Sequence, residues 1–408
     1  MNLLLSAYAC RPDMGSEPGG GWNWAKHLAQ AGHSVWCFTA EHNRPYVEAH
    51  LQKHPVARLQ MVYVAAPTWV EELRRRHYQT FLYVHYWYWQ RAAYRRAQRL
   101  HASVSFDIVH HVTYGSLQMG SRLDQLNVPF IFGPVGGGQS APRAFRAYLR
   151  NGWHIEQLRN VFSRSFLLDV YHTTATLRAA DLVLTTNQET YARARQLGAR
   201  QVAMVLDSGL SSEFYPARLP ERPISDTLRL LWVGSMIPRK GVLFLLAMMA
   251  HLPDSVTLTL VGDGPQYSLV QRRIKDQQLG HQVTCAGRVP YHQVQHYYAD
   301  HDVFVFSSLR DSFGTQLLEA MAYGLPVVTL DHQGAHTFVP DDAGIKVRPS
   351  DPDTTLAQLS QAILRLQNCP EERAAMGRRA HAYAQTQLWP HKVDDMMRQY
   401  ESLLAYSL

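Results

Sequence analysis

The stretch Asp311-Ser312-Phe313-Gly314-Thr315-Gln316-Leu317-Leu318-Glu319-Ala320-Met321-Ala322-Tyr323-Gly324-Leu325-Pro326-Val327-Val328-Thr329-Leu330 decides the fold of this 408-residue chain. Ahead of it, Asp302-Val303-Phe304-Val305-Phe306 is a short apolar run of the kind that forms a strand covered on both faces in a parallel sheet. Ser307-Ser308 opens a loop. The spacing then predicts a helix over 314–324, stopped by glycine with Pro326 just beyond, and a further strand over 327–330. Such a strand–loop–helix–strand unit aims a helix N-terminus at the carboxyl end of a strand. Unpaired backbone N–H groups and the helix dipole make that place a holder of anions. Glu319 is the anomaly, set between Leu317-Leu318 and Ala320-Met321-Ala322. A carboxylate on so apolar a helix is costly to bury unless something hydrogen-bonds it. The vicinal hydroxyls of a ribose would serve, and so would a surface salt bridge. Asp311 lies on the loop entering the same place, as a ligand group or as a helix cap.

The neighbouring segments agree with an α/β reading. Residues 228–233 predict a strand, followed by Gly234-Ser235-Met236-Ile237-Pro238-Arg239-Lys240-Gly241 and a helix over 242–252. Two cations beside a helix N-terminus suit a diphosphate, Lys240 as a point charge and Arg239 as a planar fork; an exposed basic turn is the plainer alternative. Strands over 258–261 and 283–286 end in Gly262-Asp263-Gly264-Pro265 and Gly287-Arg288-Val289-Pro290. At the other end of the chain, strand 3–8 leads through a loop to Gly19, Gly20 and Gly21, then a helix over 22–31 and a strand over 35–39. The three glycines allow close backbone approach to a ligand, or simply a flexible turn. Residues 106–111 form a strand ending in His110-His111. No carboxylate or cysteine stands at ligand spacing from this pair, so polar lining of a cleft is the better reading and no metal is expected. Asp300-His301-Asp302 and Asp351-Pro352-Asp353 lie at helix ends and read as caps.

Composition sets the outer bounds. Hydrophobic residues make up 46% and charged residues 18%, which fits a globular chain of two domains. The formal charge of +7 points to an anionic partner. Cys10, Cys37, Cys285 and Cys369 are scattered without a CxxC pair, which implies neither a disulfide framework nor a zinc knuckle and fits a reducing cytosol. The apolar start Met1–Leu5 lacks a basic region and reads as a strand, and no apolar run approaches the length of a membrane span. Residues 71–100 stand apart, with seven arginines against two glutamates and eight aromatics. Tyr78, Phe81, Leu82, His85, Tyr86 and Trp89 follow helical spacing. The stretch is either a helical hairpin packed on its domain or a surface, residues 74–99, that rests on an anionic membrane with aromatics in the interface. No nucleic-acid module accompanies it, so no nucleic-acid partner is expected. Residues 207–226, rich in Pro, Ser and Glu, read as the interdomain linker. The expected division is an N-terminal domain over 1–214, a C-terminal domain over 215–390, and a helix over 391–408 that crosses back.

Acid-x7-acid, with Phe-Gly-Thr after Asp311 and Glu-Ala-Met-Ala at Glu319, resembles the signature of the family 4 retaining glycosyltransferases of the GT-B fold. Gly-Ser-Glu-Pro-Gly-x-Gly-Trp at residues 15–22 is similar to one branch of that family. The resemblance implies two Rossmann-like doubly wound domains facing a central cleft. It implies that Asp311 contacts the donor sugar, that Phe313, Gly314 and Thr315 meet the sugar and diphosphate, and that Glu319 binds the ribose. Lys240 matches the diphosphate lysine. The companion arginine is replaced by Ser235, for which Arg239 is the candidate substitute. Gly234, Gly262 and Val289 would line the nucleotide, and Gly19, Gly20 and Gly21 the acceptor side. The first acid is usually Glu, one methylene longer. A histidine usual after strand 128–132 is missing, and His110 or His111 is the candidate in its place. The implied reaction is retaining transfer of a hexosyl-type sugar from a nucleotide-diphosphate sugar to a glycan or glycolipid acceptor, in cell-surface polysaccharide or glycolipid synthesis. It needs no cofactor, and it takes place in the cytoplasm, with a peripheral station on the inner face of the plasma membrane. The alternatives are a nucleotide-sugar epimerase of the same architecture, a pyridoxal-phosphate phosphorylase, and a non-catalytic basic membrane- or nucleic-acid-binding protein.

Overall fold

The computed structural model describes residues 1–164, 171–223 and 225–406. The chain divides into two compact units, one of residues 1–138, 161–207 and 389–408, the other of residues 139–160 and 208–388. Each is a parallel sheet with helices on its faces, as strands read from near-continuous Val/Leu/Ile/Phe runs require.

The first unit carries β1 (Asn2–Ala7), β2 (Ser34–Ala40), β3 (Leu59–Val64), β4 (Ile108–Thr113), β5 (Phe130–Val135), β6 (Leu182–Thr185) and β7 (Val202–Met204), in the order β3-β2-β1-β4-β5-β6-β7. The second carries β8 (Leu228–Val233), β9 (Val256–Val261), β10 (Val283–Gly287), β11 (Val303–Phe306), β12 (Val327–Leu330) and β13 (Gly344–Val347), in the order β10-β9-β8-β11-β12-β13. The strand pairs in both sheets are parallel. Both sheets reverse their winding next to their first strand, between β1 and β4 and between β8 and β11. Doubly wound sheets open a crevice at that reversal, outside the carboxyl ends of the strands.

Contacts divide the chain differently from composition at two places, residues 139–160 and the stretch read as a linker. Residues 139–160, expected in the N-terminal domain, belong to the second unit because Ala141, Phe145 and Leu149 are buried in its core, Phe145 edge-on to Phe244 at 5.1 Å. Within the stretch read as a linker, Leu210 and Phe214 are buried, and Phe214 stacks on Tyr291 at 5.5 Å. The final helix, Trp389–Tyr406, lies in the first unit and buries Trp389, Val393, Met396, Tyr400 and Leu403, one stripe at helical spacing.

The aromatic and basic stretch forms the helices Thr68–Arg76 and Tyr78–Val104. His85, Tyr86, Trp89, Ala93 and Ala97 are buried in the first unit's core, so this stripe is packing and is not free to enter a membrane. The Tyr78 side chain lies outside the described residues. Arg75 and Arg76 pair with Glu72, and Arg91 stacks on Trp87, whereas Arg95, Arg96 and Arg99 are exposed along one side of the helix. Among the described residues, no helix is long and apolar enough to cross a membrane.

Candidate functional site

The winding reversal of the second unit collects most of the expected residues. The loop after β8 supplies Arg239 and Lys240, and the loop after β11 supplies Asp311 and leads into the helix Thr315–Ala322. The two loops are stitched together through backbone. Leu309 N donates to Arg239 O at 2.8 Å, Ser307 Oγ donates to Lys240 O at 3.0 Å, and Ser308 Oγ donates to Arg239 O at 3.2 Å.

Lys240, only 7% exposed, donates to Asp311 Oδ2, and Arg239 Nη1 stands 3.3 Å from the same oxygen. Burial works to raise the Asp311 pKa, but Lys240 and Arg239 outweigh it and hold the carboxyl at about 2. Burial lowers the Lys240 pKa more than Asp311 restores it. The loop is pinned further by Asp311 N donating to Gln333 Oε1 at 2.8 Å, and by Arg310 Nε pairing at 2.8 Å with the buried Glu156. This makes an anionic side chain clamped between two cations at the mouth of a helix.

Gly314 caps that helix with φ of 100°, a conformation side chains rarely adopt, and a Cβ there would lie 2.6 Å from the Phe306 ring. The first-turn N–H groups of Thr315 and Gln316 have no intrahelical carbonyl to bind. Thr315 Oγ1 lies 3.1 Å from Ser208 Oγ. The Phe313 side chain is fully buried, edge-on to Phe338 at 6.0 Å, so only its backbone is placed to meet a ligand.

Glu319 is buried, as its apolar neighbours require, and among the described residues it makes no salt bridge. Tyr291 OH donates to Oε1 at 3.1 Å and Tyr298 OH to Oε2 at 2.8 Å. The need for a hydrogen-bond donor, read from sequence as a ribose, is thus met within the chain. Burial raises the Glu319 pKa and the two phenols partly offset it. Both tyrosines escaped the sequence reading. Their signal is the i, i+7 spacing on the helix Tyr291–Asp300, which puts both on one face.

Gly262 follows β9 directly, and a Cβ there would lie 1.8 Å from Gly234 O, so strand-end packing alone demands a glycine. Val289, half-buried, follows β10. In the first unit the helix begins at Ser16, six residues before its expected start, so Gly19, Gly20 and Gly21 are helical rather than a loop. A Cβ at Gly19 or Gly21 would run into Met14 O or Ala9 O at 2.1 and 2.2 Å, while Gly20 faces open space. Gly19 and Gly21 thus serve close backbone packing at the start of this helix.

The cleft-lining role read for His110 and His111 is corrected by the structure. Both are buried within β4, where successive side chains point to opposite faces. His110 lies 2.6 Å from Tyr400 OH and 2.7 Å from Gly133 O, and His111 lies 3.1 Å from Ser6 Oγ. Burial lowers their pKa values to about 4 and about 3. They are satisfied core histidines, held neutral.

Residues 227–368 match the family model described as glycosyl transferases group 1. A putative teichuronic acid biosynthesis glycosyltransferase, TuaC, of Bacillus subtilis is 29% identical over 176 residues, which is 43% of this chain and 37% of that protein. The O-antigen chain mannosyltransferase B of Escherichia coli is 30% identical over 169 residues, 38% of this chain and 43% of that protein. The matched part thus spans well under half the length of these relatives. Among solved structures, sucrose-phosphate synthase from Thermosynechococcus elongatus superposes with a TM-score of 0.69 at 21% identity, covering 99% of both chains. Anabaena HepE in complex with UDP and glucose gives a TM-score of 0.63 at 14% identity, covering 98% of this chain and 100% of that one. These likenesses establish the fold class expected from sequence, a GT-B protein with two Rossmann-like units.

Proposed function

We propose that this protein is a retaining glycosyltransferase that moves a sugar from a nucleotide-diphosphate donor to an acceptor hydroxyl in cell-surface polysaccharide or glycolipid synthesis. The observation that carries the reading is the convergence of Lys240, Arg239, Asp311 and the helix start at Gly314 on the winding reversal of one sheet. The names of TuaC and the O-antigen mannosyltransferase support the substrate class, and the UDP and glucose bound to HepE support the donor.

In this reading the arriving diphosphate takes over Lys240 and Arg239, and Asp311, released from them, turns to the donor-sugar hydroxyls. The two cations and the first-turn N–H groups then stabilise the charge that builds on the departing diphosphate. That phosphate assists deprotonation of the acceptor hydroxyl on the same face of the sugar, which gives retention without a protein nucleophile. Glu319 has acceptor sites to spare beyond its two phenols, since a carboxylate offers about four. Tyr291, 49% exposed, is the partner a ribose would displace. Arg95, Arg96 and Arg99 offer phosphate contacts for a peripheral station on an anionic membrane, without insertion of the buried aromatics.

The test is a panel of nucleotide sugars incubated with the protein and with Lys240→Ala. Transfer or slow hydrolysis of one donor, lost in the variant, is expected. Release of free nucleotide with an epimerised sugar and no acceptor product would replace the transferase reading by the epimerase.

A further inference from the structure

The first unit holds a three-residue constellation that the transferase reading does not use. His42 follows β2, Glu71 lies on the helix Thr68–Arg76, and His85 lies on the helix Tyr78–Val104. Each offers one ligand atom, and these atoms lie within 4.8 Å of one another. Their distances along the chain, 29 and 14 residues, are why no ligand spacing is visible in the sequence.

Three observations mark the cluster as more than a contact. Among the described residues, His42 Nδ1 is a buried imidazole nitrogen without a hydrogen-bond partner, and His85 Nε2 faces Glu71 Oε1 at 2.8 Å. Buried polar atoms left in this way are uncommon and call for an explanation. Outer contacts already orient the ligands. Tyr8 OH lies 2.8 Å from His85 Nδ1, and Ala66 N donates to Glu71 Oε1 at 3.1 Å. A histidine bound to a metal through one nitrogen uses its other nitrogen in this way. Finally, the donor set is two imidazoles and one carboxylate, the combination that zinc accepts while leaving a fourth position for water.

We propose that His42, Glu71 and His85 form a divalent transition-metal site, suited to zinc, that ties the end of β2 to both helices of the basic hairpin. Arg74 Nε stands 3.7 Å from Glu71 Oε2 and is the competing cation. The site thus carries an internal competitor, and removing the Arg74 charge should tighten binding.

The experiment uses the full chain, free of any affinity tag, stripped with chelator and titrated with Co2+ and then Zn2+. One equivalent of Co2+ should bind with visible d–d absorption and be displaced by Zn2+. His42→Gln and Glu71→Gln, verified as folded by circular dichroism, should each weaken binding at least tenfold, and Arg74→Gln should strengthen it. His50 on the helix Arg44–Lys53 and His54 just past its end, with rings 4.9 Å apart, are the control for adventitious uptake. Substoichiometric Co2+ uptake by the wild type would overturn the proposal. So would binding that survives both ligand variants, or binding that disappears with His54→Ala instead.

Discussion

Replacing Lys240 with Ala tests structure and chemistry together. Asp311 ionises at about 2 against an ordinary 3.8, and at about 1.4 kcal/mol per unit its charged form gains roughly 2 kcal/mol from its surroundings. This stability is present above the unfolded pKa of 3.8 and is lost as pH falls through about 2. Lys240 is itself held below its usual pKa, because burial takes more from its charge than Asp311 returns, so the pair as a whole contributes less than that figure. Breaking it is another matter. Lys240→Ala leaves a buried carboxylate with Arg239 at 3.3 Å as its remaining strong partner. The loss of one member of a buried pair costs about 3–5 kcal/mol, and the surviving arginine places this case at the low end, about 3. Lys240→Met with Asp311→Asn removes both charges and should recover most of that loss. Turnover behaves differently, because a lost charge stabiliser costs about 10²-fold or more and no repacking restores it. Urea unfolding and single-donor turnover, measured on the single and double variants, separate the two effects. A single variant that loses less than about 1 kcal/mol would refute the burial argument. A double variant that regains turnover along with stability would refute the charge-stabilising role.

Other outcomes follow from the same geometry. His110 and His111, held near 4 and 3 against 6.5, refuse protons that the unfolded chain accepts. Stability should therefore fall as pH drops through 6.5 and level off only below about 3, by roughly 3 kcal/mol from His110 alone; a melting temperature that is flat from pH 7 to 4.5 would contradict this. Tyr298→Phe strips Glu319 Oε2 of its 2.8 Å donor and should cost about 1–3 kcal/mol in urea unfolding, more than Tyr291→Phe, whose ring is half exposed. Changing Arg95, Arg96 and Arg99 together to Glu should abolish sedimentation with anionic liposomes while leaving the melting temperature near wild type, and unaltered sedimentation would end the membrane proposal.

Much of the second unit was legible because its signals are local. The run Val303–Phe306, the glycine at 314 and the Gly324–Pro326 stop each act through the backbone of neighbouring residues, so one sequence window contains their cause. Lys240 was legible for the same reason, as a cation on the loop that closes a strand. What the sequence could not contain is which distant groups answer a demand it plainly makes. Glu319 had to find hydrogen-bond donors, but whether from ribose, salt bridge or tyrosine depended on how the helix Tyr291–Asp300 turns its face. His110 and His111 are adjacent polar residues that look like a site, and strand alternation sends them to opposite cores with Tyr400 and Ser6 waiting there. Residues 139–160 follow the first unit in the chain and the second in space, because Phe145 finds its apolar surface on Phe244. Periodicity and turn chemistry are properties of a segment and survive in isolation. Burial, pairing and the charge of an ionisable group are properties of whatever the fold brings beside it.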